Sequence, residues 1–226
     1  MKIYGHPWSI NTRKVLAALA EKGGEAELVF INVPVGEHLA QTHAARHPFL
    51  KIPVLGDGDL VVYETIAIMR YLDRTLDGPA LMPSSAREGA RADQWISVAS
   101  SYFIPLVHPL LVETIFRRHL GGERSAATIE AGRSAMRRPL DVLDAYLASN
   151  EYLAGTQFSL ADLYWMPYLE YLSHAGEGRA IADRRNLAAW WERVSSRPAW
   201  RQVARGGLQP YDADASPEAI ARLHRR

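Results

Sequence analysis

The order of hydrophobic runs in this chain changes character once, near residue 77, and no other feature restricts the fold as much. Up to that point short β-type runs alternate with helical ones. Lys2-Ile3-Tyr4 reads as a strand. Residues 9–22 put Val15, Leu16 and Leu19 on one face of a helix, and Gly23-Gly24 stop it. Ala26 to Val33 reads as a second strand, and Glu37 to Ala45 as a short helix ending before His47-Pro48. Pro53-Val54-Leu55 and Leu60 to Tyr63 flank Gly56-Asp57-Gly58-Asp59 as a hairpin; Glu64 to Leu76 forms a helix closed by Asp77-Gly78-Pro79. The order β-α-β-α-β-β-α predicts a parallel first pair with a right-handed crossover and an antiparallel last pair. Beyond it every long run is helical: roughly 87–118, 125–149, 159–174 and 187–196. The expected organisation is an α/β domain over 1–77, a Pro- and Ser-containing linker over 78–86, and an all-α domain over 87–226. Ser216-Pro217-Glu218 has the pattern of a helix start, so the chain ends in a short helix or a frayed tail.

Composition removes several functions. With 226 residues and 48% hydrophobic residues the chain can bury its core without staples. Lys and Arg total 26 against 25 Asp and Glu, so nothing global draws it to nucleic acid or to an anionic membrane. Cysteine is absent, which excludes disulfides, thiolate metal sites and a cysteine nucleophile, though not chemistry with a borrowed thiol. The N-terminus MKIYGHPWS does not read as a signal peptide, and the expected location is cytoplasmic. Trp95 to Val112 carries no charged residue and reaches membrane-spanning length. It also contains Pro105, Pro109, His108 and three serines, which fits a proline-kinked core helix better.

Three local features can carry chemistry. Gly5 ends the first strand, and His6-Pro7-Trp8-Ser9 leads into the first helix. Such a junction gathers backbone N–H groups and the positive helix end at one point, with the Ser9 hydroxyl beside them; the plainer reading of Ser9 is an N-cap. Lys51-Ile52-Pro53-Val54 puts a proline at a strand start. A cis Ile52–Pro53 bond would free the Ile52 backbone to pair with an extended peptide, and a trans one would simply begin the strand. Tyr63-Glu64-Thr65 opens a helix with an acid and a hydroxyl, suited to an amino-acid head group or merely to the helix dipole.

Taken together these motifs resemble the glutathione S-transferase family, with the closest likeness to its serine-type phi class. The signature runs Gly5-His6-Pro7-x-Ser9-x-x-Thr12-Arg13-x-Val15, Gly36-Glu37-His38, Pro48-Phe49-x-x-Ile52-Pro53-Val54, Asp57-Gly58-Asp59-Leu60 and Glu64-Thr65. Downstream, Trp95, Phe103 and Pro105 keep phi-like spacing, and Phe158-Ser159-Leu160-Ala161-Asp162 is the family's capping box with its staple. The resemblance implies a thioredoxin-like α/β N-terminal domain, an all-α C-terminal domain and a homodimer. It implies glutathione as co-substrate, a hydrophobic electrophile as partner, no metal, and a role in detoxification. Ser9 would be the catalytic group, stabilising the thiolate. A free thiol of pKa about 8.5 is only about 3% ionised at neutral pH, and lowering it by two units takes about 3 kcal/mol. A hydroxyl and a helix N-terminus together are of that size. His38 and Lys51 would neutralise the glycyl carboxylate, Ile52 beside Pro53 would bond the cysteinyl backbone, and Glu64 and Thr65 would hold the γ-glutamyl head. The sequence departs from the phi pattern at Leu39 (usually Lys), Lys51 (Gln), Thr65 (Ser) and Ala99 (acidic).

For the second substrate, expected between the domains, the candidates are Pro7, Trp8, Tyr102, Phe103, Val107 and Leu111, the last four also readable as ordinary core. Phe49 is the expected dimer anchor. His43 and His47 have helical metal-ligand spacing, but Pro48 ends the helix there, and Arg117-Arg118-His119 and Arg137-Arg138 read as solvated faces. Glutathione-dependent peroxidase, dehalogenase or isomerase activity, and a non-catalytic binding protein of the same fold, are the rival readings.

Overall fold

The computed structural model describes residues 1–33, 35–117 and 122–204. The chain divides into two compact units. The first comprises Met1–Pro79 together with the segment that begins at Pro198; the second is Ala80–Arg197. The segment expected to form a terminal helix or frayed tail, from Ser216 on, lies outside the described residues.

The first unit is built on a four-stranded sheet of order β2-β1-β3-β4, with β1 Lys2–Gly5, β2 Glu27–Phe30, β3 Val54–Asp57 and β4 Leu60–Tyr63. β1 and β2 are parallel, from Lys2 opposite Glu27 to Gly5 opposite Phe30. The helix α1, Ile10–Glu21, connects them. β1 and β3 run antiparallel, Tyr4 facing Val54, and β3 and β4 form the hairpin, Val54 facing Tyr63. The hairpin loop is shorter than expected: pairing continues to Asp57–Leu60, and Gly58 turns the chain at φ +60°, where glycine carries no steric cost. β2 stops at Phe30 because its partner ends at Gly5. The expected helix over 37–45 is split by extended Ala40 into a 3-10 turn, Glu37–Leu39, and α2, Gln41–Ala44.

Ile10, Val15, Ala17, Ala18 and Leu19 of α1 are buried. Its C-terminus closes in a Schellman motif, with Gly23 at φ +63°, Gly24 N–H to the Leu19 carbonyl and Gly23 N–H to that of Ala20. Helix α3, Thr65–Thr75, packs against α1, and Lys22 ties the two by donating to Asp73 (3.3 Å) and to the Pro79 carbonyl (3.0 Å). The last described helix, Pro198–Ala204, also belongs to this unit and not, as expected, to the helical one. The cause lies in α1: buried Arg13 donates to the Val203 carbonyl at 3.3 Å and stands over the Trp200 ring.

The second unit opens on one helical run from Ala86 to Phe116, made of α4 (Ala86–Val98), α5 (Ile104–Leu111) and two widened π turns, Ala99–Phe103 and Val112–Phe116. Pro105 and Pro109 donate no backbone hydrogen bond, and the widened turns stand next to them. By length and apolar content this run is able to cross a membrane. Here Trp95, Phe103, Val107, Leu110 and Leu111 are buried. Helices α6 (Ala126–Ala135) and α7 (Arg137–Leu147) follow; a Cβ on Gly132 would meet Leu110 at 2.7 Å, so the glycine sets how closely α6 approaches α5. Helix α8, Leu160–Leu172, is the buried centre, and α9 (Arg179–Ala182) and α10 (Arg185–Ser195) lead back to Arg197. The capping box at Ser159 and Asp162 is present at the start of α8.

Candidate active site

The sheet register decides which loops meet. Because β1 and β2 are parallel, both exit the sheet at the same end, where Gly5 and Phe30 lie opposite each other. β3 is antiparallel to β1, so it enters at that end, at Val54 beside Tyr4, and β4 leaves there, at Tyr63 beside Val54. Three candidate segments therefore emerge at one sheet end: His6–Ser9, Lys51–Pro53 and Glu64–Thr65. The helices α1 and α3 begin directly after two of them, which brings two positive helix ends to the same place.

Ser9 caps α1: its Oγ accepts from the Thr12 N–H at 3.3 Å, and its own N–H donates to the His6 carbonyl at 2.9 Å. Serine has one hydroxyl hydrogen beyond its acceptor role, and among the described residues nothing takes it. Thr12 packs under Gly5, where a Cβ would lie 2.6 Å from the threonine hydroxyl. Gly5 and Thr12 of the motif thus let the start of α1 sit tightly on the end of β1.

On the other side of the end lie His38, His43, His47, Lys51 and Glu64. The His43 Nε2 is 2.8 Å from the Lys51 carbonyl and so ties down that loop. Burial, followed by the neighbouring His43 and Lys51 charges, lowers the pKa of His38. Burial also lowers that of His47, against the pull of nearby Glu64. Lys51 is exposed, Ile52 is half-buried and Pro53 is buried after a cis Ile52–Pro53 bond. Among the described residues neither the N–H nor the carbonyl of Ile52 makes a backbone hydrogen bond. Glu64 is exposed and stands at φ 72°, a conformation that costs a non-glycine residue about 1–3 kcal/mol. It is the N-cap residue of α3, yet its side chain makes no capping bond, and the carboxylate stays available next to buried Thr65.

The other candidates fall into two groups. Pro7 and Trp8 are buried beside Ser9. In the helical unit Tyr102 is 66% exposed, whereas Phe103, Val107 and Leu111 have no exposed surface. Phe103 stacks on Trp165 at 4.6 Å, and the Trp165 indole donates to the Trp95 carbonyl at 3.0 Å. These three residues serve that unit's core, the alternative already open for them. Phe49 is 66% exposed and lies edge-on to Tyr63. His6, His43 and His47 were not among the expected site residues. The signal for two of them was a repeat, His-Pro-aromatic, at 6–8 and again at 47–49.

A thioredoxin-like α/β unit with a four-stranded sheet and a cis-proline before β3, joined to a helical unit, is the fold of the glutathione S-transferases. The N-terminal-domain profile of the glutathione S-transferases matches residues 1–74, and the C-terminal-domain profile matches residues 103–198. The chain is similar to glutathione S-transferase F10 of Arabidopsis thaliana, 35% identical over 201 residues, covering 88% of this chain and 94% of that protein. Among solved structures it is similar to glutathione transferase F7 from Populus trichocarpa (TM-score 0.87, 34% identity, 91% of this chain and 98% of that one). It is also similar to glutathione S-transferase I from mais in complex with an atrazine glutathione conjugate (TM-score 0.83, 31% identity, 90% and 96%). The chain belongs to the glutathione S-transferase family and is a transferase.

Proposed function

We propose that this transferase is of the serine type, resembles the phi class, and joins the sulfur of glutathione to the electrophilic carbon of a hydrophobic substrate. The observation that carries this reading is the free hydroxyl hydrogen of Ser9 at the start of α1, at the sheet end where Ile52 and Glu64 also emerge. Ser9 donates that hydrogen to the thiolate sulfur while its oxygen continues to cap the helix. Ile52 bonds the cysteinyl backbone after the manner of an added strand. Glu64 takes the ammonium of the γ-glutamyl head, Thr65 and the α3 N-terminus take its carboxylate, and His38 with Lys51 faces the glycyl carboxylate. The thiolate attacks carbon, and a leaving group such as chloride departs with the bonding pair. Pro7 and Trp8 beside Ser9 are the proposed contacts of the electrophile on this unit. The solved relative holding an atrazine conjugate supports an aromatic chloride as a trial substrate. A cytoplasmic location suits a reaction that consumes reduced glutathione.

The test is retention on immobilised glutathione together with conjugation of glutathione to a chloronitrobenzene. Retention with turnover is expected; turnover of hydroperoxides alone, or neither activity, overturns the reading. Glu64→Ala and Lys51→Ala are each expected to raise the KM for glutathione about tenfold or more, the usual cost of losing a hydrogen bond to a charged group, with a smaller effect on kcat. Initial rates across a glutathione series check this.

We also propose a homodimer anchored by Phe49. The support is a run of exposed apolar side chains at Phe49, Leu60, Val61 and Tyr63, on the edge strand β4 and the loop beside it. Phe49→Ala is expected to shift the dimer dissociation constant upward by roughly 30-fold or more. Sedimentation over a dilution series reads it, and an unchanged profile would refute the anchor.

A further inference from the structure

The two His-Pro-aromatic segments, His6-Pro7-Trp8 and His47-Pro48-Phe49, fold into the same turn. In each the His carbonyl accepts the N–H three residues on, that of Ser9 in one and of Leu50 in the other, both at 2.9 Å. The His Nδ1 accepts the N–H two residues on, that of Trp8 at 3.2 Å and of Phe49 at 3.3 Å. Both histidines are 2% exposed, and each ring lies near the aromatic side chain of its own turn, 5.3 Å from Trp8 and 6.2 Å from Phe49. Proline at the second position suits the turn, since its ring presets the backbone there and it has no N–H that needs a partner. The imidazole does what an Asn or Asp side chain does in an Asx turn.

The first of these turns delivers Ser9. We propose that His6 is a positioning residue for the Ser9 hydroxyl, acting through Nδ1 as the acceptor that locks the Pro7–Trp8 turn. The inference rests on the proposed role of Ser9. Two bonds from one residue fix the turn: the His6 carbonyl holds the Ser9 N–H, and the His6 ring holds the Trp8 N–H. The second bond holds the Trp8 peptide, which leads directly into Ser9 and the start of α1. The ring is itself held between Trp8 and Phe30, whose ring centroid lies 4.6 Å away. The bond requires a bare Nδ1, so the proton of the neutral ring sits on Nε2. Burial lowers the His6 pKa to about 3, so the acceptor survives throughout the neutral range. The second turn is the counterpart across the site, preceding the Lys51–Ile52 loop.

The experiment compares His6→Phe, which keeps a packed ring and removes the acceptor, with His6→Asn, whose side-chain oxygen restores an Asx turn. Both are measured alone and in a Ser9→Ala background. His6→Phe is expected to lower kcat about 10- to 100-fold, with little change in the KM for glutathione, and to move the ionisation of bound glutathione to higher pH. His6→Asn is expected to recover most of the loss. In the Ser9→Ala background, His6→Phe is expected to change kcat less than twofold, because a positioning residue has nothing left to position. Equal loss in both His6 variants with an unmoved ionisation pH would overturn the inference, as would full activity of His6→Phe. A Ser9→Ala enzyme with unaltered rate and pH profile would instead overturn the reading beneath it. Should His6→Phe fail to fold, the nitrogen-15 spectrum of the wild-type imidazole decides: a bare Nδ1 is expected, and a protonated one ends the proposal.

Discussion

Ser9→Ala is expected to cut turnover by about 10- to 100-fold at neutral pH and to raise the pH at which bound glutathione ionises by about one to two units. The reasoning starts from the hydrogen-bond inventory. Ser9 accepts from the Thr12 N–H, which leaves its hydroxyl hydrogen for the sulfur. A hydrogen bond to a charged acceptor contributes about 1.5–3 kcal/mol, and each 1.4 kcal/mol is a tenfold change in the ratio of thiolate to thiol. The helix end and its remaining N–H groups are untouched by the substitution, so part of the thiolate stabilisation survives and the loss stops short of complete. Binding of the tripeptide is expected to persist, because the residues proposed for its two ends lie elsewhere. The pH profile separates this role from mere damage. At high pH, where the thiol ionises unaided, the variant is expected to approach the wild-type rate. Loss of the cap also costs about 1 kcal/mol, visible as a melting point lower by about 2–4 °C. A variant with the full rate and the same profile would remove Ser9 from the mechanism.

How far the sequence could be read depended on how local the cause was. The strand-loop-helix junctions at Ser9 and Glu64 were legible because their cap residues and glycines act within a few positions. The β-α-β-α-β-β-α order was legible for the same reason. Departures arose wherever a distant partner decided. β2 ends where β1 ends, not where its own apolar run does. The helix beginning at Pro198 joins the first unit because Arg13 meets Trp200 and Val203, 190 positions downstream of Arg13 in the last case. Phe103, Val107 and Leu111 have the residue types of a binding wall, and only their packing, with Trp165 stacked on Phe103, assigns them to a core. His43 is one of three polar residues in a short helix until β3 and its preceding loop bring the Lys51 carbonyl to it. The His-Pro-aromatic repeat stood in the sequence, but nothing local says that an imidazole will replace an Asx side chain in a turn.

Asp162→Ala is expected to remove about 4 kcal/mol or more of stability, a large share of the 5–15 kcal/mol that holds a typical domain. Asp162 is fully buried at the start of α8 and accepts four hydrogen bonds. They come from the Leu153 N–H (3.0 Å), the Ser159 N–H (2.9 Å), the Ser159 hydroxyl (3.0 Å) and the Trp190 indole (2.8 Å). One side chain thus fastens the loop before α8, the cap of α8 and the helix α10. Alanine strands three N–H donors in a dry interior, at about 1–3 kcal/mol each and not strictly additive, besides opening the capping box. Thermal unfolding is expected to shift down by about 8–16 °C. Asp162→Asn keeps an oxygen for some donors but turns an NH2 group toward the others, so a smaller loss is expected. The pH dependence carries a sign. Burial raises the Asp162 pKa from its ordinary 3.8 to about 6, against the donors that pull it down. The folded state then holds a proton that the unfolded chain releases. This contribution is full below pH 3.8 and is lost as pH rises through 6. His6 works in the opposite sense: its pKa falls from 6.5 to about 3, so its contribution is full above 6.5 and fades as pH drops toward 3. Wild type and Asp162→Asn share His6, and the difference between them cancels it. Denaturant unfolding at pH 5 and pH 8 is therefore expected to show a larger stability gap between the two at pH 5. A gap that is equal at both values, or larger at pH 8, would mean that the buried carboxyl keeps its charge throughout.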